Sequence, residues 1–331
     1  MLTQKEAQTL ANTAHRVAVL GSTGYAGQEF LRLARGHAKL QIAALGVRDD
    51  DAQPARGAGT ASACSLRDLE VLVAAGACDT LVSCLPHGIW KDIARRHPAL
   101  TAAPQIIDLS SDYRDGADGY VYGLPEAFRA HVASAQRVAN PGCYATGVIL
   151  AVRPLAEAGL LASGSQVIAD CKSGATGAGK ELRRDLHFSE LDENFKAYNL
   201  FSHRHTPEIA EQTGLPESQL IFSTHLLPIA RGILSTIYVT LAEPQSLDAI
   251  EALYRKAYAG RSMVRIWKAG ALPEIQHVAH TNFADIGFTL DHSGQRLIVV
   301  SCLDNLGKGA AGQAIQNFNL LSQLEENTGL Q

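Results

Sequence analysis

The chain has 331 residues, of which 46% are hydrophobic and 19% charged, and its formal net charge is −4. This length fits two globular domains, since a domain commonly contains ~100–200 residues. The weak negative charge, without a basic block, argues against nucleic acid as a partner. No apolar run approaches the ~20 residues of a membrane span, and residues 1–14 lack the apolar core of a signal peptide. We therefore expect a cytoplasmic protein with no nucleic-acid or membrane partner.

The cysteines give no sign of a metal centre. Neither a Cys-x-x-Cys nor a His-x-x-x-His zinc spacing occurs, and the spacing of the thiols is irregular. We expect no metal, and reduced thiols of the kind found in a cytoplasm. The six cysteines are Cys64, Cys78, Cys84, Cys143, Cys171 and Cys302.

The first part of the chain alternates strands and helices. A strand over 15–20 is followed by a glycine turn, a helix over 28–34 and a second strand over 40–46. The alternation continues with helices near 66–75 and 89–96 and strands over 80–84 and 105–109. This order predicts an α/β fold with a doubly wound, Rossmann-type parallel sheet.

The later part contains many strands and few helices. Six strand-like runs lie at 166–171, 220–226, 233–241, 264–267, 284–290 and 296–302. Helices are predicted at 148–158, 247–258 and 308–324. This pattern predicts a second, α+β domain on a mixed, largely antiparallel sheet. We expect a dinucleotide-binding domain of residues 1–142 plus 305–331 and a catalytic and dimerisation domain of residues 143–304.

A Gly-x-x-Gly-x-x-Gly turn joins the first strand to the first helix. Glycines there let main-chain N–H groups approach a pyrophosphate at the helix N-terminus, which predicts dinucleotide binding. Arg48, after the second strand, could meet a 2′-phosphate and so favours NADP. A solvated loop is the alternative for Arg48, because three aspartates follow it. The candidate cofactor residues are Gly21, Ser22, Thr23, Gly24, Tyr25, Ala26, Gly27 and Arg48.

Cys143 lies in an Asn-Pro-Gly-Cys-Tyr turn directly before a helix-compatible run. The positive end of a helix dipole favours thiolate over thiol, and thiolate is the nucleophilic form. The alternative is a buried structural cysteine. The segment Ser-His-Arg-His-Thr-Pro-Glu offers two histidines as acid/base partners, His203 and His205. We expect Thr206 to cap a helix that begins at Pro207 and holds His205 in place.

Two further segments carry candidate substrate residues. Arg114 follows a strand end and could bind a phosphate or carboxylate, with a surface salt bridge as the alternative. The glycine-rich segment 173–179 resembles a phosphate loop, but Glu181 follows Lys180, so the Walker motif is incomplete. We interpret it as a substrate loop that includes Ser173.

These motifs together resemble the N-acetyl-γ-glutamyl-phosphate reductase family, within the wider aspartate-semialdehyde dehydrogenase-like superfamily. The resemblance covers nearly the whole chain and rests on residues 21–27, 85–88, 108–114, 122–126, 140–146, 172–179, 203–208, 228–234 and 304–309. A departure lies at 47–52, where the family usually has a Ser-Ala-Gly-Lys-like segment.

The resemblance implies a role for each matching residue. Cys143 would be the nucleophile and His205 the acid/base, with His203 nearby. Arg114 would bind the substrate anion, Glu208 would contact the substrate or a histidine, and Asn305 would lie near the nicotinamide. The expected reaction is NADPH-dependent reductive dephosphorylation of N-acetylglutamyl phosphate to the semialdehyde, through a cysteine thioester.

Other functions remain open at this stage. Aspartyl or aminoadipyl phosphate could be the substrate instead, or the chain could be a non-catalytic NADP-binding regulator. The expected partners are a small acyl phosphate and inorganic phosphate, and the family resemblance suggests a homodimer or homotetramer.

Overall fold

The structure is a computed structural model that describes residues 14–47 and 62–330. The chain divides into two compact units. The first comprises Met1–Asn140 together with Ala314–Gln331, and the second comprises Pro141–Gln313. Among the described residues, no helix is both long and apolar enough to cross a membrane.

The first unit contains a seven-stranded sheet in which every pairing is parallel. Its order is β3-β2-β1-β4-β5-β7-β6. The strands are β1 (His15–Leu20), β2 (Leu40–Val47), β3 (Ser62–Ser65), β4 (Thr80–Ser83), β5 (Gln105–Asp108), β6 (Val121–Tyr122) and β7 (Arg137–Ala139). The helices are α1 (Tyr25–Arg35), α2 (Leu66–Ala74), α3 (Ile89–Arg96) and α4 (Pro125–Ala133). The prediction of a Rossmann-type parallel sheet is confirmed.

Most of β1 and the apolar face of α1 are buried in the core of this unit. Val17, Ala18 and Val19 are fully buried, as expected for a central strand covered on both faces. The predicted apolar face of the first helix, Phe30, Leu31 and Ala34, is buried as well. The helix begins at Tyr25 rather than at residue 28, because Gly24 already occupies the N-cap position.

The second unit contains a mixed, largely antiparallel sheet of order β12-β13-β14-β11-β8-β10-β9, as predicted. Only the β8–β10 and β12–β13 pairs are parallel within the described residues. The strands are β8 (Val167–Gly174), β9 (Lys196–Tyr198), β10 (Leu220–Leu227), β11 (Ile233–Thr240), β12 (Val264–Ile266), β13 (Ala284–Leu290) and β14 (Arg296–Leu303). The helices are α5 (Cys143–Glu157), α6 (Phe188–Leu191), α7 (His205–Thr213) and α8 (Leu247–Ala257).

The final predicted helix is more complex than its apolar spacing indicates. A π-helical turn, Gly307–Ala311, comes first, and the α-helix α9 covers Gly312–Leu321. The helix ends three residues before the expected position. In the first unit, the buried Phe318 ring packs edge-on against the rings of His15 and His37.

Candidate active site

The shape of the glycine turn after β1 requires glycine at two positions, Gly21 and Gly27. Gly21 has φ +72°, and a Cβ there would lie 2.6 Å from the carbonyl oxygen of Cys84. A Cβ on Gly27 would overlap the carbonyl oxygen of Gly21, so any larger residue would push α1 away from the turn. Gly24 is the N-cap of α1. The turn therefore lies directly before the first N–H groups of α1, an arrangement that suits a pyrophosphate.

The remaining residues of the turn differ in exposure. Ser22 is buried and Tyr25 is exposed, at 2% and 37%. The Thr23 carbonyl oxygen accepts a hydrogen bond from Gln28 Nε2 at 2.9 Å. Arg48, the residue expected at a 2′-phosphate, lies outside the described residues.

At the carboxyl end of β5, Arg114 is buried rather than on the surface, with 8% exposure. Its Nε donates to the carbonyl oxygen of Asn140 at 2.9 Å and its Nη2 donates to that of Leu109 at 3.1 Å. These bonds fix the guanidinium at the polar strand edge of the first unit. Asp108, nearby in sequence, is buried, which raises the pKa of its carboxyl to about 6.

Cys143 is the first residue of α5, and Gly142 is the N-cap. The first N–H groups of an α-helix have no intrahelical acceptor, so the sulfur lies at the positive end of the helix. Cys143 is partly exposed. Cys64 and Cys84 are also partly exposed, and burial raises the pKa of all five other thiols, to about 12 for Cys171 and Cys302. These five are therefore poor nucleophiles at neutral pH.

The His205 ring packs directly on Gly142. A Cβ at residue 142 would overlap ring atoms of His205, the nearest of which is Nε2. Glycine before Cys143 thus makes room for the imidazole next to that cysteine. His205 is 2% exposed, so the ring is held within the protein.

The helix that carries His205 begins two residues earlier than predicted. Its first residue is His205 itself, and Arg204, rather than Thr206, occupies the N-cap position without a side-chain cap bond. A side chain outside the helix takes over part of this role, because His203 Nδ1 accepts the main-chain N–H of His205 at 3.2 Å. The predicted Thr206 cap is therefore wrong.

His203 is a neutral ring in this arrangement. Burial, with a smaller contribution from the Arg204 charge, lowers the pKa of His203 to about 4. Its Nδ1 acts as an acceptor, which requires that nitrogen to carry no proton. The ring lies against Tyr144 and Phe222, with centroid distances of 5.6 and 5.2 Å.

Glu208 binds the turn that precedes Cys143. Its Oε1 accepts the main-chain N–H of Gly142 at 2.8 Å. The carboxylate therefore links α7 to the N-cap of α5. This contact is to main chain, whereas the family resemblance implies a substrate or histidine partner.

Ser173 and Asn305 lie around the glycine-rich segment, of which 173–174 end β8 and Ala175–Ala178 form a 3-10 turn. Ser173 Oγ donates to the Gly174 carbonyl oxygen at 3.1 Å. Asn305 Nδ2 donates to Thr176 Oγ1, and its Oδ1 accepts the Gly232 N–H, both at 2.8 Å. Asn305 thus ties this segment to the start of β11.

Two tyrosines that sequence reasoning missed lie in the same region. Tyr198 Oη donates to Tyr144 Oη at 3.1 Å, and Tyr144 Oη donates to the His225 carbonyl oxygen at 3.0 Å. Burial raises the pKa of Tyr198 to about 12. The position of Tyr144 directly after Cys143 was a usable signal, whereas Tyr198 is in a short edge strand with none.

The second unit therefore brings Cys143, His205, His203 and Glu208 together at the N-terminus of α5. The first unit holds the glycine turn and Arg114. Within the described residues, no cluster of three or more histidine, cysteine or acidic side chains could hold a metal ion.

Family models match both parts of the chain. Residues 16–135 match the semialdehyde dehydrogenase NAD binding domain, and residues 143–305 match the semialdehyde dehydrogenase dimerisation domain.

Curated relatives match over almost the whole length. The N-acetyl-gamma-glutamyl-phosphate reductase of Pelotomaculum thermopropionicum is 40% identical, covering 96% of this chain and 98% of its own. That of Symbiobacterium thermophilum is 41% identical, covering 95% and 97%. That of Geobacter sulfurreducens is 38% identical, covering 96% and 98%.

Solved structures share the fold. Aspartate semialdehyde dehydrogenase II of Vibrio cholerae, complexed with ASA, has a TM-score of 0.74 at 15% identity, covering 94% of this chain and 99% of its own. The Candida albicans aspartate semialdehyde dehydrogenase with NADP has a TM-score of 0.69 at 17% identity, covering 93% and 98%.

Proposed function

The chain belongs to the N-acetyl-γ-glutamyl-phosphate reductase family, and from that premise we propose how its own residues carry out the reaction. It is an oxidoreductase of amino-acid biosynthesis that reduces N-acetylglutamyl phosphate to the semialdehyde and releases inorganic phosphate. The observation that carries the mechanism is the His205 ring seated on Gly142, directly before Cys143 at the N-terminus of α5.

In the first step, His205 accepts the thiol proton and the Cys143 sulfur attacks the acyl carbon. A carbon–sulfur bond forms and the carbon–oxygen bond to phosphate breaks. Inorganic phosphate departs, and the acyl group remains on Cys143 as a thioester. The positive end of α5 stabilises the thiolate. Of the two histidines, we assign the acid/base role to His205, because its ring lies against Gly142 beside Cys143, whereas burial lowers the pKa of His203 to about 4 and makes it a weak base.

The turn that contains Gly21 and Gly27 fits a dinucleotide, because a Cβ at either position would overlap main-chain atoms and displace the turn from the N-terminus of α1. When bound, this cofactor supplies the hydride that reduces the thioester carbon. His205 then returns its proton as the carbon–sulfur bond breaks and the aldehyde leaves. We assign NADP rather than NAD as the cofactor on the strength of Arg48, with residues 21–27 at the pyrophosphate and Asn305 towards the nicotinamide.

The other assignments are also proposals. Arg114 and Ser173 bind the substrate anion. The burial of its guanidinium supports this role for Arg114, and its place in the glycine-rich segment supports it for Ser173. Residues 1–142 plus 305–331 act as the cofactor domain and 143–304 as the catalytic and dimerisation domain. The active protein is a homodimer or homotetramer in the cytoplasm, where its six free cysteines stay reduced.

The decisive experiment assays phosphate-dependent oxidation of N-acetylglutamate semialdehyde with NADP and with NAD, beside the aspartate analogue. We expect the acetylated substrate and NADP to give the higher kcat/KM. Cys143→Ser should lower kcat by about 10³-fold or more, and His205→Asn by about 10²–10⁴-fold, with NADP affinity retained in both.

Retained turnover in Cys143→Ser would exclude the thioester route. A higher kcat/KM for the aspartate analogue would identify a different acyl phosphate. A Cys143 that resists alkylation at neutral pH, with cofactor binding intact, would favour a non-catalytic regulator.

A further inference from the structure

Asp304, directly after β14, is a buried carboxylate to which the mechanism above gives no role. It is 0% exposed. Arg231 donates to it with Nε at 2.9 Å and with Nη2 at 2.8 Å, which is the two-pronged geometry that a guanidinium favours. Three main-chain N–H groups also donate to it, from His280 at 2.6 Å, Leu306 at 2.8 Å and Gly307 at 2.9 Å.

Two of these N–H groups begin the π-helical turn Gly307–Ala311. The turn is defined by i to i+5 hydrogen bonds, from Gly309 N to the Asp304 carbonyl oxygen and from Ala311 N to that of Leu306, both at 2.8 Å. Such turns are rare, and those that occur are frequently at functional sites. Asp304 thus anchors the turn with its carboxylate and with its main-chain carbonyl.

The turn faces the nucleophile through a glycine. A Cβ on Gly309 would lie 2.8 Å from Cβ of Cys143 and 3.3 Å from its Cα. The bare Cα of Gly309 is therefore in contact with Cys143 at the start of α5. Any shift of the π-helical turn towards this helix would move Cys143.

Arg231 links the same anchor to the glycine-rich segment. Its neighbours in the 229–232 turn accept main-chain hydrogen bonds from that segment, from Gly174 N to Gly232 O at 2.9 Å and from Ala175 N to Ile229 O at 2.8 Å. The guanidinium reaches from this turn to Asp304. One ion pair therefore joins the two segments.

We propose that Asp304 is a positioning residue for the nucleophile: held by Arg231, it fixes the π-helical turn whose Gly309 seats Cys143. This proposal rests on the proposed function only in naming Cys143 as the nucleophile. The Arg231 guanidinium keeps the π-helical turn in register with the glycine-rich segment, which is assigned to substrate binding.

The test measures the rate of Cys143 alkylation by iodoacetamide as a function of pH, together with kcat, KM and NADP affinity. The variants are Gly309→Ala, Arg231→Lys and Arg231→Met, and the control is Gly36→Ala, where a Cβ meets only the Leu33 carbonyl oxygen at 3.7 Å. We expect Gly309→Ala and Arg231→Met to change the alkylation rate and lower kcat by about tenfold or more, with NADP affinity unchanged. Arg231→Lys should be intermediate, because an ammonium keeps the charge but loses the two-pronged bond.

Alkylation separates this proposal from the proposed function, since it requires no turnover. Gly309→Ala with an alkylation rate and kcat within about twofold of Gly36→Ala would overturn the proposal. The proposal would also be overturned if Arg231→Met, shown by circular dichroism to be folded, matched the wild type in alkylation rate and kcat. Activity in Cys143→Ser would overturn the proposed function while leaving the alkylation result interpretable.

Discussion

At the residue scale, His203 makes stability depend on pH. Its pKa lies at about 4 in the folded chain, because the ring is buried, against 6.5 as the ordinary value. The unfolded chain therefore binds more protons between these values, so the stabilisation is complete above pH 6.5 and is lost as the pH falls towards 4. As the pH falls from 7.5 to 5, protonation linked to His203 alone should lower the free energy of unfolding by about 2 kcal/mol.

The measurement compares urea unfolding of the wild type and His203→Gln at both pH values. We expect the variant to lose about 2 kcal/mol less than the wild type over this range. His292→Gln, on the surface, serves as the control. Equal losses in the wild type and His203→Gln would mean that His203 accepts its proton without unfolding.

The chemical roles of single residues could be predicted from the sequence, but the packing around those residues could not. A cysteine before a helix and a His-Arg-His segment indicated the proposed reacting groups from their chemistry alone. The part played by Gly142 depends on a ring that lies far along the chain, so no local pattern could reveal it. The acceptor role of His203 depends in the same way on burial.

At the element scale, the bond between Glu208 and Gly142 N–H joins α7 to α5. If the carboxylate positions the nucleophile, Glu208→Gln keeps an acceptor oxygen and should retain most of the activity. Glu208→Ala leaves the N–H of a buried turn without its acceptor, so kcat should fall by about tenfold. Steady-state kinetics should show kcat falling with little change in the KM of the acyl phosphate. A raised KM in both variants would instead support the substrate contact implied by the family.

Element types were predictable and element ends were less so. The alternating strands and helices of the first unit correctly predicted its parallel sheet, but β3, β6 and β7 were missed. β6 has only two residues and β7 has three, too few for a periodic pattern. The start of α7 was misplaced because its first N–H is bound by a histidine, a partner that capping rules based on Ser, Thr, Asp and Asn do not include.

At the scale of the whole molecule, the last residues of the chain complete the first unit. Asn317, fully buried, donates to the Gly123 carbonyl oxygen at 2.9 Å and to Asn140 Oδ1 at 3.0 Å. Asn317→Ala would remove both of these buried hydrogen bonds, and we expect a loss of about 2–3 kcal/mol in the free energy of unfolding. Denaturant unfolding measures it, with the exposed Glu325→Ala as the control. A change below about 0.5 kcal/mol would show that the amide is dispensable.

The discontinuity of the first unit has a consequence for biosynthesis. The second unit is a single stretch of chain, so it can begin to fold as soon as it leaves the ribosome. The sheet β1–β7 emerges earlier, yet Asn317 and Phe318, which belong to the same unit, are translated only after the whole second unit. Until these two residues emerge, the segments that form β1–β7 stay in an unfinished state with apolar surface exposed, and they are the ones that most need a chaperone.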